Sequence, residues 1–169
     1  MIYYINLIFF YSLLGFILES NYFKYKNVNI HSSIFLGPYT FVYGFGMFFC
    51  LELKKVLGNL PNIFLNYLFY YLLFTITTTI VELLGGHIIH YFLKIDKWNY
   101  SNKKYHFGKY ITLTNSLIWG ILATLMAFYF HPFFKNHILT TTPDYFTYIV
   151  CFIFFIDFIL LVKKIIKNI

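Results

Sequence analysis

Three acidic residues lie inside long apolar runs of the sequence, where a carboxylate is unusual. Glu19 lies near the end of the first run, Glu82 well inside the third and Asp157 inside the last. A charge at membrane depth costs at least ~2.5 kcal/mol even on insertion scales, so such a group is usually paired, protonated or turned toward a polar cavity. All three are candidates for lining a path for a solute, with Glu82 foremost. The alternatives are a helix-packing role for Glu82 and an interfacial pair of Glu19 with Lys24 or Lys26.

Two histidines follow Glu82 on the same apolar run. His87 and His90 are three residues apart and point roughly to one side of a helix, with Glu82 one to two turns earlier. Metal binding or proton relay is the chemistry that such a set could support. A closed metal site needs further ligands that the sequence does not identify, so we interpret these residues as interfacial histidines and expect no metal and no cofactor.

A polar segment after the third apolar run joins two large amphipathic rings, Trp98 and Tyr100, to Asn99 and Ser101. Anchoring of the rings at lipid headgroups is enough to explain their presence. Asn99, Tyr100 and Ser101 also match a glycosylation acceptor, but the cytoplasmic placement inferred below argues against its use.

Small and polar residues in the second and fourth apolar runs favour close helix packing. Gly44 and Gly46 remove side-chain bulk from the second run, and Ser116 and Gly120 do so in the fourth. An interrupted second helix is the alternative for the glycines. Asn115 can hydrogen-bond across helices.

The sequence contains no phosphate-binding G-x-x-x-x-G-K-[ST] loop, no G-x-S-x-G elbow and no H-E-x-x-H pair. The chain therefore cannot hydrolyse ATP by itself in the manner of P-loop proteins. Any ATP-driven role needs a partner, and we expect that the chain is not an enzyme.

The elements that position these residues follow from composition. The 169 residues are 60% hydrophobic and only 11% charged, whereas a soluble domain needs roughly a quarter of its residues charged. We predict an all-α integral membrane protein in the plasma membrane. All thirteen cationic residues are lysines, which argues against bidentate phosphate recognition and against nucleic acid as a partner.

The apolar runs predict a polytopic bundle of about five transmembrane helices that form a single domain over residues 1–169. The second helix is expected to open with Gly37 and Pro38 in its first turn, and the fourth to stop at His131 and Pro132. The predicted spans cover approximately residues 2–23, 34–53, 63–93, 110–130 and 145–162.

The third span exceeds the ~20 residues that a bilayer requires, so it must tilt, kink near Gly85 and Gly86, or emerge from the membrane. With five spans, the loops 24–33 and 94–109 share a side with the C-terminal tail. That side holds ten lysines, against three on the other. The positive-inside rule then places the C-terminus inside and the N-terminus outside.

Short motifs occur along nearly the whole chain in an order that resembles a known family. They are FYSLLGFILE at 10–19, GPY at 37–39, YGFG at 43–46, VE at 81–82 with Gly86, WNYS at 98–101 with Gly108, NSLIWG at 115–120, and HP at 131–132. Together they resemble the CmpB-type ABC transporter permease family, also described as ABC-transporter type IV, which includes transmembrane protein 229.

The resemblance implies a multi-helix membrane protein that transports with a separate ATPase. Asn99 and Lys109 depart from the family pattern, which has aspartate at the first position and often arginine at the second. The matching residues carried over from the family are Glu19, Gly37, Pro38, Tyr43, Gly44, Glu82, Trp98, Tyr100, Ser101, Asn115, Trp119, His131 and Pro132.

We therefore interpret the chain as a permease-like subunit that moves a small solute or ion. Glu19, Glu82 and Asn115 are predicted to face a shared polar interior, because lipid exposure of each would be penalised, and Tyr43 and Asp157 are further path-lining candidates. One alternative is a membrane scaffold or assembly protein; another is a membrane-embedded metal or redox protein. The partners expected are the lipid bilayer, a separate ATPase subunit and a second copy of the chain.

Overall fold

The structure, a computed structural model, describes residues 1–27 and 32–167. It is almost entirely helical, as predicted, and its helices form five continuous segments. These are α1 (Ile2–Tyr25), α2 (Phe41–Leu57), α3 (Ile63–Leu93), a fourth segment from Leu113 to Leu139, and α6 (Asp144–Lys167). The fourth segment contains α4 (Leu113–Leu125), a π turn (Met126–Phe130), α5 (His131–Phe134) and a second π turn (Lys135–Leu139).

Four of the segments in the described part of the chain are long and apolar enough to cross a membrane: Ile2–Tyr25, Ile63–Leu93, Leu113–Leu139 and Asp144–Lys163. The remaining helix, α2, has 17 residues and is about 26 Å long, less than the ~30 Å of a bilayer's hydrocarbon core. The chain is an integral membrane protein, as its composition predicts. The inside and outside assignments of its termini stay predictions.

Helix α2 begins at Phe41 and not near Ile34, which corrects the predicted second span. Gly37 and Pro38 precede the helix as irregular backbone and do not form its first turn. A proline drives the residue before it out of the helical region, and the Gly37 N–H donates to Asp157 Oδ2 at 2.7 Å. Helix α2 runs past Lys54 and Lys55 to Leu57, after which Gly58 adopts φ +68°.

The fourth helical segment continues through His131 and Pro132, where the sequence predicted its end. Proline has no N–H to donate and crowds the carbonyl four residues earlier. A π turn lies immediately before this short α-helical stretch and another follows it, and such wider turns change the hydrogen-bond register around the proline. Helix α3 is likewise uninterrupted through Gly85 and Gly86.

The chain divides into two compact units, Met1–Phe45 with Lys135–Ile169, and Gly46–Phe134. The single domain predicted over residues 1–169 stays a prediction. The first unit packs the start of α2 closely against α1. A Cβ added at Gly44 would collide with the Ile8 carbonyl and Ser12 Oγ, and one added at Gly15 would meet the Tyr43 ring. Gly44 thus packs helices closely, as predicted. Gly15 was not predicted to do so, and Gly46 makes no such close approach, since its added Cβ would lie 3.9 Å from Thr78.

The second unit is built on the pairing of α3 with α4. A Cβ at Gly120 would collide with Thr75, so the two helices approach closely at that point. The polypeptide between them forms a two-stranded antiparallel hairpin, β1 (His106–Phe107) and β2 (Ile111–Thr112). Strand β2 leads directly into α4, which Thr112 caps by accepting the Asn115 N–H on its side-chain oxygen at 3.2 Å.

Candidate functional site

Glu82 lies on the buried face of α3 and is only 5% exposed. Its Oε1 accepts a hydrogen bond from the Tyr100 hydroxyl at 3.3 Å. Tyr100 belongs to the connection between α3 and α4. A residue of this connection therefore covers an acid that lies within a helix. Two residues of the family motifs, far apart in sequence, therefore meet at one polar site.

The position of Glu82 along α3 shows how far that connection folds back. Helix α3 has 31 residues, which makes it about 46 Å long. Glu82 precedes the final residue, Leu93, by eleven positions, which corresponds to about 16 Å along the helix axis. We call residues 94–112 the Trp-Tyr loop. This loop lies along the last turns of α3 and brings Tyr100 back toward the middle of that helix.

A second polar cluster holds the Trp-Tyr loop near the end of α3. Asp96 accepts a hydrogen bond from the buried Tyr110 hydroxyl at 2.7 Å and lies 3.0 Å from Lys109 Nζ. His90 Nδ1 lies 2.8 Å from the same carboxylate. The Asp96 side chain thus ties two parts of the loop to α3.

These contacts shift the proton affinities of the cluster. Hydrogen bonds from Tyr110 and Lys109 hold the pKa of Asp96 below its usual value. The hydrogen bond to Asp96 raises the pKa of Lys109, while burial and the Asp96 hydrogen bond together raise that of Tyr110. The cluster therefore favours the ionised carboxylate of Asp96, the protonated amine of Lys109 and the neutral phenol of Tyr110.

The Tyr110 ring packs on α3 directly over Gly86, which has no side chain; we call this position the seat of Tyr110. A Cβ at Gly86 would lie 2.6 Å from the ring. The His87 ring meets the Tyr110 ring edge-on, with 5.0 Å between centroids, and Trp98 Nε1 donates to the Tyr110 carbonyl at 3.2 Å. Gly86 is required for this packing of the loop on the helix.

The Asn99 departure from the family pattern preserves a turn. Asn99 Oδ1 accepts hydrogen bonds from the Ser101 N–H at 2.9 Å and from Ser101 Oγ at 2.7 Å. The Tyr100 N–H donates to the Lys109 carbonyl at 2.7 Å across the loop. The turn needs an acceptor oxygen at position 99, which asparagine and aspartate both provide.

The histidines and the acid that could form a metal site each have a separate contact. His87 Nδ1 lies 2.8 Å from the Leu83 carbonyl, His90 contacts Asp96, and Glu82 accepts from Tyr100. Among residues 1–27 and 32–167, no group of three or more His, Cys, Asp or Glu side chains is arranged to hold a metal ion.

Asp157 serves a different segment in the first unit. Its carboxylate is buried and accepts the N–H groups of Leu36 and Gly37, at 3.0 Å and 2.7 Å. A Cβ at Gly37 would collide with the Tyr39 ring. We call residues 32–40 the Gly-Pro loop, and Asp157 fixes that loop to α6.

The other predicted site residues are distributed over both units. Glu19 is half-buried on α1, and Tyr43 packs against Gly15. Asn115 and Trp119 are half-buried on α4, where Asn115 lies in the first turn. Glu82 and Asn115 belong to the second unit and Glu19 to the first, and a polar interior shared by all three stays a prediction.

Sequence reasoning missed the cluster of Asp96, Lys109 and Tyr110. Asp96 is the only acid among the five lysines of residues 94–109, and this isolation was the signal available. An acid surrounded by lysines near a helix end is a natural partner for one of them, but the sequence could not specify which lysine.

Comparison with known proteins gives one match. A family model described as "Putative ABC-transporter type IV" matches residues 6–162, a range that contains every motif behind the sequence resemblance. The resemblance is therefore confirmed. The description names a class of transporter and no substrate. Comparison with curated proteins and with solved structures gives no match.

Proposed function

Because the chain belongs to the ABC-transporter type IV family, we propose that it is the membrane subunit of a transporter that moves a small solute or ion past Glu82. The buried contact between Glu82 and Tyr100 carries this proposal. An acid inside a membrane helix is costly and is generally found where it serves a pathway or a binding site.

The chemistry of this contact favours a class of solute. A carboxylate accepts hydrogen bonds and attracts cations, and a phenol can donate or accept. Both groups lie between α3 and the Trp-Tyr loop, at a place that a small displacement of the loop would open. Cations, and solutes that carry N–H or O–H donors, are the best chemical match.

The energy for transport is proposed to come from a separate ATPase chain in the plasma membrane. The family supports such a partner, and the sequence has no phosphate-binding loop of its own. In this proposal the chain performs no covalent chemistry, and its polar groups bind and release the solute.

Asp157 is less suited to the pathway than Glu82. Both of its oxygens accept backbone N–H groups from the Gly-Pro loop, and charge-assisted bonds of this kind are strong. We therefore assign Asp157 a structural role and place the proposed pathway at Glu82, in the second unit.

The proposal can be tested with an apolar carbodiimide, which modifies protonated carboxyl groups within membranes. The full chain in proteoliposomes is treated with dicyclohexylcarbodiimide in the presence of a panel of inorganic cations, amines and amino acids, and modification of Glu82 is followed by mass spectrometry. Solutes that protect Glu82 are then tested for uptake, with and without an ATPase chain that co-purifies.

We expect at least one protecting solute to be taken up, and Glu82→Gln to reduce that uptake at least tenfold, which corresponds to ~1.4 kcal/mol. Asp144→Asn is the matched control, because Asp144 is an exposed acid at the start of α6. Uptake that is unchanged in a well-folded Glu82→Gln variant, or a panel without any protecting solute, would contradict transport. That result would favour the scaffold alternative, in which Glu82 only packs helices.

A further inference from the structure

The hairpin within the Trp-Tyr loop exposes a basic and aromatic surface that no proposed transport step uses. Tyr105 is 65% exposed and Phe107 74% exposed. Lys103 and Lys104 are also exposed. We call these four residues the hairpin face.

The hairpin face is held in a defined shape. Phe107 pairs with Ile111 across the two strands, and Tyr105 adopts φ +57°. The Leu113 N–H, at the start of α4, donates to the Tyr105 carbonyl at 3.0 Å. Large apolar rings are therefore presented to the outside on an ordered backbone.

The position of the hairpin places this surface at the edge of the bilayer. Strand β2 ends at Thr112, and Leu113 begins a helix that is long and apolar enough to span a membrane. The polar headgroup layer extends only about 6 Å beyond the hydrocarbon core on each side. Aromatic rings beside a helix end are typical of residues that lie in this layer.

The charge of the segment favours an anionic surface. Residues 94–109 contain five lysines and one acid, Asp96, and Lys109 contacts that acid at 3.0 Å. Lys104 Nζ lies 5.0 Å from the centroid of the Tyr105 ring, so cation and ring occupy the same surface. Clusters of lysine next to a membrane helix bind anionic lipids.

We propose that the hairpin face docks onto anionic phospholipid headgroups of the membrane that holds the protein. Lys103 and Lys104 contact the lipid phosphates, while Phe107 and Tyr105 enter the boundary between headgroups and acyl chains. A lipid surface is the occupant because the hairpin continues directly into a membrane helix and lies in a segment with five lysines and one acid.

The experiment uses the full chain in nanodiscs that contain phosphatidylcholine with or without phosphatidylglycerol. Phe107→Trp reports insertion through quenching by brominated phospholipids, with the native chain measured to subtract the signals of its two tryptophans. Mass spectrometry counts the phosphatidylglycerol retained after mild detergent exchange. Both faces of a nanodisc carry the same lipids, so the result does not depend on orientation.

We expect brominated lipids to quench the Phe107→Trp signal, and a Lys103→Gln/Lys104→Gln variant to lose preference for phosphatidylglycerol by about fivefold for each lysine. Lys135→Gln is the matched control, since Lys135 is exposed outside the hairpin, and it should keep the preference. The proposal fails if Phe107→Trp is not quenched, if the double variant retains the preference, or if Lys135→Gln loses it equally. Shielding of Phe107→Trp by an added protein and not by lipid would also overturn it.

Discussion

The two loops of the molecule are held in different ways. In the Gly-Pro loop, one carboxylate, Asp157, accepts two successive backbone N–H groups. Ser32 and Thr40 also hydrogen-bond to α1, and the rings of Phe35 and Tyr39 pack against Phe154. The Trp-Tyr loop is fixed by side chains at several separate places, among them Glu82, Asp96 and the seat at Gly86. Both loops have several attachments. The charge-assisted hydrogen bonds of the Gly-Pro loop come from one acid, whereas the polar contacts of the Trp-Tyr loop are spread over several side chains.

This difference predicts different responses to mutation. Removing Asp157 leaves the N–H groups of Leu36 and Gly37 without their acceptor, because the loop contributes only main-chain groups to that contact. Removing one member of the Trp-Tyr network leaves the remaining contacts in place. A substitution of Asp157 should therefore cost more free energy of unfolding than a substitution of any one residue in the Trp-Tyr network.

Replacement of Asp157 tests the carboxylate attachment of the Gly-Pro loop and has the largest expected effect. Asp157→Ala should lower the free energy of unfolding by about 3–5 kcal/mol, because two charge-assisted hydrogen bonds are lost and two N–H groups lose their acceptor. Thermal unfolding in detergent measures the change. Asp144→Ala removes an exposed acid at the start of the same helix and should cost less than about 1 kcal/mol.

Equal effects of the Asp157→Ala and Asp144→Ala variants would show that the carboxylate contact with the Gly-Pro loop contributes little. The comparison between the two loops would then lose its basis. Protease cleavage within residues 32–40 gives a second readout, since only loss of the Asp157 contact should expose that segment.

Replacement of Gly86 tests the seat of the Trp-Tyr loop. The added Cβ of Gly86→Ala must displace the Tyr110 ring, and such overpacking costs about 1–3 kcal/mol. Gly46→Ala is the control, because its Cβ would meet only Thr78, at 3.9 Å, and alanine favours helix over glycine by about 1 kcal/mol. The measured free energy of unfolding should fall for Gly86→Ala and not for Gly46→Ala. Equal stability of the two variants would show that the packing of Tyr110 on Gly86 contributes little.

The sequence predicted the helices better than the loops. Apolar length and composition located α3 with both ends correct, since a long apolar run surrounded by polar residues has one favourable state in lipid. The start of α2 and the passage of the fourth segment through Pro132 were not predicted. The start of α2 depends on the Gly37 N–H, which donates to Asp157, and the passage through Pro132 involves a π turn on each side. Hydropathy reports neither.

The site was predictable to a similar extent. Glu82 was identified from the cost of an acid in an apolar run, and Tyr100 from the family motif. Their contact could not be derived, because it requires the loop to turn back along α3. Asp96 and Tyr110 determine that path, and neither carries a signal strong enough to be chosen without the fold.

The cluster of Asp96, Lys109 and Tyr110 predicts a range of pH over which the contacts of the Trp-Tyr loop with α3 are stable. The Asp96 pKa is lowered by Tyr110 and Lys109, so its contribution to stability is complete above its unfolded value, about 3.9. That contribution is lost as the pH falls through the lower folded value. The Lys109 pKa is raised, so its contribution is complete below about 10.4 and is lost at higher pH.

Tyr110, whose pKa is also raised, adds to the loss on the alkaline side. His90 faces the same carboxylate from α3. The fluorescence of Trp98, in a Trp119→Phe background, should stay constant between about pH 4 and pH 10 and change outside that window. Asp96→Asn should remove the acid transition. A transition near neutral pH that survives Asp96→Asn would show that another group closes the loop.

The smallest expected effect concerns Asn99, where this chain departs from its family. Asn99→Asp keeps an acceptor for both Ser101 donors, so the free energy of unfolding should change by less than about 0.5 kcal/mol. Asn99→Ala removes the acceptor and should cost about 1 kcal/mol, because the bond is exposed and is one contact among several. If Asn99→Ala destabilised the protein as much as Asp157→Ala, one residue would dominate the attachment of the Trp-Tyr loop. If neither Asn99 variant changed the free energy of unfolding, we would conclude that Asp96, Tyr110 and Glu82 hold that loop.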